Sequence, residues 1–271
     1  MALHPMLNTA VKAARRAGSV IMRHLDRPDR LKIEAKGRSD FVSDVDRFAE
    51  AEIIDILRHA YPDHAILAEE TGRHPGGDYC WIIDPLDGTT NFLHSYPHFA
   101  VSIALEHKGR LEQAVVFDPH RNELFTATRG QGAQLNERRI RVSQTHDMRH
   151  ALLGTGFPFK GQAFLDMWVG IFRDLAPDVS GVRRAGSAAL DLAHVACGRF
   201  DGFWEFGLHA WDMAAGCLLV EEAGGFIGDP SGGQDHLRTG HVVAGNAKIY
   251  PELLKRVRAH LPDDWRALKA V

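Results

Sequence analysis

The segment WIIDPLDGTTNF, residues 81–92, restricts what this chain can fold into more than any other stretch. Trp81, Ile82 and Ile83 read as a strand that belongs in a core, and that strand finishes on two carboxylates, Asp84 and Asp87. Pro85 fixes φ and lacks an N–H, so the backbone turns between the two acids and lets both aim toward one point. Gly88 lets the chain approach a ligand closely, and Thr89 can cap a following helix whose free N–H groups would face an anion. Carboxylates beside an anion repel it unless cations lie between them. Hard oxygen donors next to a phosphate therefore point to Mg²⁺, which takes few carboxylates, keeps some water and uses the substrate's own oxygens. Asp-Pro and Asp-Gly pairs also occur in solvated turns, and two acids alone would favour that reading. The whole pattern favours a metal-bridged phosphate site.

A chain of 271 residues can bury a large core, and 45% hydrophobic with 25% charged residues is ordinary globular composition. The net charge of −3 gives no electrostatic footprint for direct nucleic-acid binding. Cys80, Cys197 and Cys217 are scattered and form no CxxC, which argues for a reducing compartment and against a Cys-built metal site. The N-terminal stretch places Leu7, Val11, Ala14, Gly18, Ile21 and Leu25 at helical spacing, with basic residues breaking every apolar run. Neither a signal peptide nor a membrane span fits that pattern, so a soluble, cytoplasmic protein is expected.

No repeat or linker divides the chain. A turn-rich stretch, DRPDRLKIEAKGRSD, follows the first helix, and a second helix runs through SDVDRFAEAEIIDILRHA with Ser43 as its N-cap. Short strand-like runs come next: AILAEE, YCWIID, FAVSIALEH, LEQAVVFD and ELFTATRG, with HKGR as a hairpin turn. The second half alternates strand-like ALLGTGF, DGFWEF and HVVAGN with helices through QAFLDMWVGIFRDL, SAALDLAHVACG, WDMAAGCLLVEEAGG and AKIYPELLKRVRAHL. Gly198 and Gly224 or Gly225 close two of those helices. The class is α+β with at least two sheets in one domain, and the change of pattern near residues 140–150 suggests two lobes, about 1–145 and 146–271.

Other acids support the first site. Glu69 and Glu70 end a strand-like run as Asp84 ends its own, and Asp212 opens an apolar helix. Each taken singly reads as an exposed charge or a helix cap. Taken together, DPLDGTTNF, the upstream EE and WDMAAGCLLVEEAGG resemble the inositol monophosphatase family. GRSDFVSDVDRFAE, PHFAVSIA, RNELFTATRGQGAQLN, GTGFPFK and RRAGSAALDLAHVACGR extend the resemblance over nearly the whole chain, and toward a bacterial branch of that family.

The resemblance implies the layered αβαβα sugar-phosphatase fold, a homodimer, and Mg²⁺-dependent, lithium-sensitive hydrolysis of inositol monophosphates to inositol and phosphate. One Mg²⁺ would be held by Glu69, Asp84 and the carbonyl of Leu86, and a second by Asp84, Asp87 and Asp212. A weaker third site would lie near Glu69. The amides of Gly88 and Thr89, with Thr90 alongside, would cradle the phosphate, while Thr89 and Glu69 orient a metal-activated water. Ser187, Glu205 and Asp212 would face the polyol. Asp46 would support the metal site, and Lys36 would lie on a mobile loop near it. Relatives include fructose-1,6-bisphosphatases and nucleotide phosphatases, and the bacterial branch is also associated with transcription antitermination and ribosomal RNA synthesis through protein partners.

Some signals point elsewhere. His94 and His98 stand at i, i+4 in HSYPH, but Pro97 interrupts them and no HExxH follows, so zinc is not expected. His209 beside Trp211 reads as a substrate-side or packing residue. Arg183 and Arg184 would grip a phosphate or a partner chain, or remain a solvated pair. TGRHPGGDY, between the Glu pair and the acidic strand, is a short Gly-rich loop that bears on substrate breadth.

Overall fold

The computed structural model describes residues 4–25, 33–37, 40–157 and 165–267, with side chains placed outside 33–42 and 267. The helices are α1 (Pro5–His24), α2 (Asp44–Ala60), α3 (Thr89–Leu93), α4 (Leu165–Leu175), α5 (Ala188–Ala196), α6 (Ala210–Glu222), α7 (His236–Thr239) and α8 (Ile249–Ala259). β1 (Ile33–Gly37) and β2 (Asp40–Ser43) pair antiparallel, so residues 33–37 form a strand where turns were expected.

The first large sheet contains β3 (Ala65–Ala68), β4 (Gly72–His74), β5 (Tyr79–Asp87), β6 (Ala100–His107), β7 (Arg110–Asp118), β8 (Glu123–Thr128), β9 (Gly132–Leu135) and β10 (Arg138–Arg139). Their order is β10-β9-β8-β7-β6-β5-β3-β4, and only β3 and β5 run parallel. The Gly-rich loop after Glu69 thus contributes β4. The second sheet contains β11 (Leu152–Thr155), β12 (Gly181–Arg183), β13 (Gly202–Phe206), β14 (Phe226–Gly228) and β15 (His241–Gly245), in the order β12-β11-β13-β15-β14.

Period-two alternation makes both sheets two-sided. Trp81 and Ile83 pack with α1 and α2, while Ile82 between them packs with α5 and α6 on the other face. In the second sheet Phe203, Val242 and Ala244 face α5 and α6, whereas Trp204 and Val243 face Met167 and Ile171 of α4 and Leu253 of α8. The layers are therefore helix, sheet, helix, sheet, helix, which is the αβαβα sugar-phosphatase architecture. Each large apolar side chain taken from water here stabilises the fold by about 1.5–3 kcal/mol.

The middle layer has sheets on both sides, so α6 is apolar all round: Met213 through Val220 are buried without interruption. Small residues let α5 and α6 sit close, and a Cβ on Gly216 would lie 2.5 Å from the Cβ of Leu192. Gly216→Val would wedge the layer apart.

Local signals work as read. Ser43 caps α2, accepting from Val45 N at 3.2 Å while Asp46 returns a bond to Ser43 N at 2.8 Å. Lys108 and Gly109, with φ of 52° and 79°, make the two-residue turn between β6 and β7.

Candidate active site

The acidic strand does not stop at Asp84. β5 continues through Pro85 to Asp87, with Asp84 opposite Ser102 and Asp87 opposite Ala100. Three steps on β5 match two on β6, so a β-bulge inserts one extra residue. Residues three apart in a regular strand point to opposite faces; the extra residue restores the phase and turns both carboxylates to the same side. Pro85 is tolerated in this interior strand because a bulge needs no ladder N–H there.

The next turn corrects one expectation. Gly88, not Thr89, occupies the N-cap position of α3, at φ 97°. A side chain there would also meet His98 O at 2.9 Å, so only glycine fits. Thr89 instead directs its hydroxyl to Asp46 Oδ1 at 2.9 Å and lies 3.0 Å from Leu86 O. Asp46 is fully buried and also accepts from Ser43 Oγ at 2.6 Å. Burial pushes its carboxyl above the usual range, and the bonds from Ser43 and Thr89 work against that push.

Asp84 is 2% exposed. Its carboxyl stands well above the ordinary range, first because of burial, then because of the charges of Glu69, Asp87 and Asp212, with a hydrogen bond to Glu69 adding to the rise. The fold thus collects acids from β5, the end of β3 and the start of α6. Ser102 explains how α6 arrives: opposite Asp84, its Oγ donates to Trp211 O at 3.1 Å and pins the helix start to β6. Asp212 sits one turn into that helix and accepts from His209 N at 2.6 Å. Asp87 Oδ2 accepts from Ser187 Oγ and Ala189 N, both at 2.7 Å, so the start of α5 is anchored on it.

Among the described residues no group of three or more His, Cys, Asp or Glu closes around one point as a finished metal cage. The donor set nevertheless fits a hard divalent cation: it is all oxygen, and its mutual repulsion is what such an ion would relieve.

The remaining predicted residues fall in different surroundings. Glu205, on β13, lies against Gly156 at the end of β11, where a Cβ would come within 1.7 Å of Glu205 Oε1. Its charge reaches Asp191, as does that of Asp87. Ser187 caps α5 and holds Asp87, a support role that the sequence did not show. Thr90 is exposed at the start of α3, and Leu86 is 1% exposed with its N–H on Asp84 Oδ1 at 2.9 Å. Arg183 is not brought to the cluster: it is exposed on β12, and its guanidinium turns back to Val182 O at 3.2 Å. It is Arg184 whose charge reaches Asp191. Lys36 falls in β1 rather than a loop, and its side chain lies outside the described residues. His98 is buried and His94 exposed, so the HSYPH pair shares no environment. His209 stacks on Trp211, with ring centroids 4.6 Å apart.

Two residues of this region escaped the sequence reading. Asn91 Nδ2 donates to His98 O at 2.8 Å and Ala185 O at 2.9 Å, tying the loops on either side of Gly88 together. Asp191 is 1% exposed inside α5, where burial first, then Glu205 and Asp87, raise its carboxyl well above the usual range, with Arg184 opposing. An acid between apolar neighbours in AALDLA, residues 188–193, was the available signal.

The sequence profile of the inositol monophosphatase family matches residues 2–262. The Nus factor SuhB of Pseudomonas aeruginosa is 55% identical over 266 residues, covering 96% of this chain and 98% of that protein. The crystal structure of the extragenic suppressor protein suhB from Bartonella henselae superposes with a TM-score of 0.92 at 44% identity, over 94% of this chain and 99% of that one. An inositol monophosphatase structure from Anabaena matches with a TM-score of 0.80 at 39% identity, over 93% and 95% of the two chains.

Proposed function

The chain belongs to the inositol monophosphatase family, and from that premise we propose that it is a Mg²⁺-dependent phosphatase that hydrolyses inositol monophosphates by direct attack of water. The observation that carries this reading is the convergence of Glu69, Asp87 and Asp212 on the buried Asp84. In a folded protein such crowding of negative charge is stable at neutral pH only with protons or cations among the oxygens.

In this reading Glu69, Asp84 and the Leu86 carbonyl hold one ion, and Asp84, Asp87 and Asp212 a second, with a weaker third near Glu69. When bound, Mg²⁺ stabilises charge on the phosphoryl oxygens and lowers the pKa of water at the site. The chain's own residues position the reactants. Thr89 donates its hydroxyl hydrogen bond to Asp46, which leaves a lone pair on the Thr89 oxygen to accept from the attacking water. Glu69 holds the water from the other side. Gly88 and Thr89 amides, with Thr90, receive the phosphate, while Glu205 and Asp212 accept from polyol hydroxyls. Ser187 acts through Asp87 rather than on the substrate. The assembly is proposed to be a homodimer.

Phosphate release from inositol monophosphates, fructose 1,6-bisphosphate and nucleotides, with Mg²⁺ and with EDTA, tests the reading. Preference for inositol monophosphates and loss of turnover in EDTA are expected. Undiminished turnover in EDTA would sink it.

A second reading rests on the relatives' names. Proteins 53–55% identical to this one carry the name Nus factor SuhB, which supports a role in transcription antitermination through protein contacts. Capture of transcription proteins by an Asp84→Asn variant as efficiently as by the parent would separate that role from catalysis. Failure of both to capture any would remove it.

A further inference from the structure

Glu50 belongs to no reading so far, yet it is 1% exposed, and its partners among the described residues are backbone amides alone. It lies four residues after Asp46, one turn along α2 and on the same face. Its Oε2 accepts from Glu70 N at 2.8 Å and its Oε1 from Thr71 N at 2.9 Å. The preceding amide, Glu69 N, donates to Ile83 O at 3.1 Å, one residue before Asp84. Three successive amides, 69 to 71, are therefore fixed, one by β5 and two by Glu50. Both oxygens of a buried carboxylate are committed to one turn of backbone, and that turn carries Glu69.

We propose that Glu50 is a positioning residue for the metal-binding carboxylate Glu69, and that α2 is the template setting the distance between Glu69 and Thr89. Asp46 holds Thr89 on one side of the attacking water, and Glu50, one turn along, holds the backbone of Glu69 on the other. The inference rests on the metal-phosphatase reading above and adds to it a residue that touches neither ion nor substrate. Charge-assisted bonds to two backbone N–H groups are stronger than neutral ones, so they can keep the turn in place against the repulsion between Glu69 and Asp84.

Glu50→Gln is the decisive variant. It keeps shape but replaces one accepting oxygen by an amide NH₂, which then opposes an N–H instead of receiving it. Mn²⁺ binding followed by electron paramagnetic resonance, with kcat and KM over a Mg²⁺ series, reads the effect. Loss of an indirect partner of a metal ligand typically weakens binding about 10- to 100-fold, and that loss is expected here. The Mg²⁺ concentration for half-maximal rate should rise by the same factor, with KM for the phosphate ester unchanged. Glu50→Asp, which keeps the charge and shortens the reach, should fall between parent and Glu50→Gln, and it carries the test if Glu50→Gln does not fold. A merely structural staple would lower the melting temperature while the folded fraction bound Mn²⁺ as the parent does, and that result would overturn the proposal alone. A parent protein that binds no Mn²⁺ would overturn the metal-phosphatase reading and this inference with it.

Discussion

Asp84 and Asp229 stand in nearly the same local sequence, IIDPLDG and FIGDPSG, and each is 2% exposed, yet the fold treats them oppositely. Asp229 follows directly on the edge strand β14, and the chain beyond it turns its donors back. Oδ1 accepts from Ser231 N at 2.7 Å, Ser231 Oγ at 2.5 Å and Gly233 N at 3.2 Å, and Oδ2 from Asp235 N at 3.2 Å. Burial alone would raise its carboxyl, but these bonds outweigh it and leave it below the ordinary range. Asp84 lies in an interior strand, accepts from Leu86 N, and otherwise faces other acids that raise it far. A buried aspartate ringed by donors holds a loop together. One ringed by acids is a source of repulsion until something positive arrives.

The largest test of that contrast is Asp84→Asn. Activity should fall on the order of a thousand-fold, the loss of several kcal/mol of charge stabilisation. Thermal unfolding without divalent cations should occur at or above the parent's temperature, because a repelling charge is gone. A large loss of stability would erase the distinction from Asp229. Asp87 is the less clean choice, since its Oδ2 also anchors Ser187 and Ala189.

The surroundings of Asp84 divide further. Thr89→Ala should lower kcat on the order of a hundred-fold with little change in KM, as expected for a group that aligns a proton transfer. Glu205→Gln should instead raise KM for inositol phosphate on the order of ten-fold, consistent with a charged hydrogen bond lost to the polyol. Steady-state kinetics showing the same parameter moved by both would merge water positioning and polyol recognition into one function.

Asp229→Asn should do the reverse of Asp84→Asn. Denaturant titration is expected to show a loss of about 1.5–3 kcal/mol, since an acceptor is withdrawn from buried donors. The kinetic constants of the folded protein should match the parent's. Altered kcat in that variant would show that the loop reports on the active site after all.

The smallest expected effect is in pH. Asp84, raised in the fold, stabilises cation-free protein below the ordinary value of 3.8, and that contribution is lost as pH rises through its folded value. Asp229 is depressed, so its contribution is present above 3.8 and lost as pH falls through its folded value. Cation-free melts over a pH series should therefore show Asp84→Asn gaining on the parent as pH rises and Asp229→Asn losing. Parallel profiles would mean that both acids sit in the same kind of environment.

Much of this molecule is legible locally. The helical spacing from Leu7 to Leu25, the Ser43–Asp46 cap and the Lys108–Gly109 turn each depend on residues a few positions apart, and so does the alternation that sends Trp81 and Ile82 to opposite faces. The acids of the site were legible too, as residue types at the ends of elements. What no local window held was the bulge at Pro85, which depends on pairing with β6, or the β1–β2 pairing, whose first strand lies in a stretch that reads as turns. Ser187 and Asp191 belong to the same class: each acts through an acid far away in the chain.

Sequence by itself determined most of the helices and longer strands and which side chains carry charge, because helix caps, turn conformations and hydrophobic period are short-range effects. Tertiary structure alone decided what those charges do. Trp211 reaches Ser102 across a separation of 109 residues, and this contact sets Asp212 beside Asp84. Whether a buried carboxyl is raised like Asp84 or lowered like Asp229 depends on which donors and which charges the packed layers press against it. Electrostatic energy in a dry interior is set by distance in space, and only the fold converts positions along the chain into such distances.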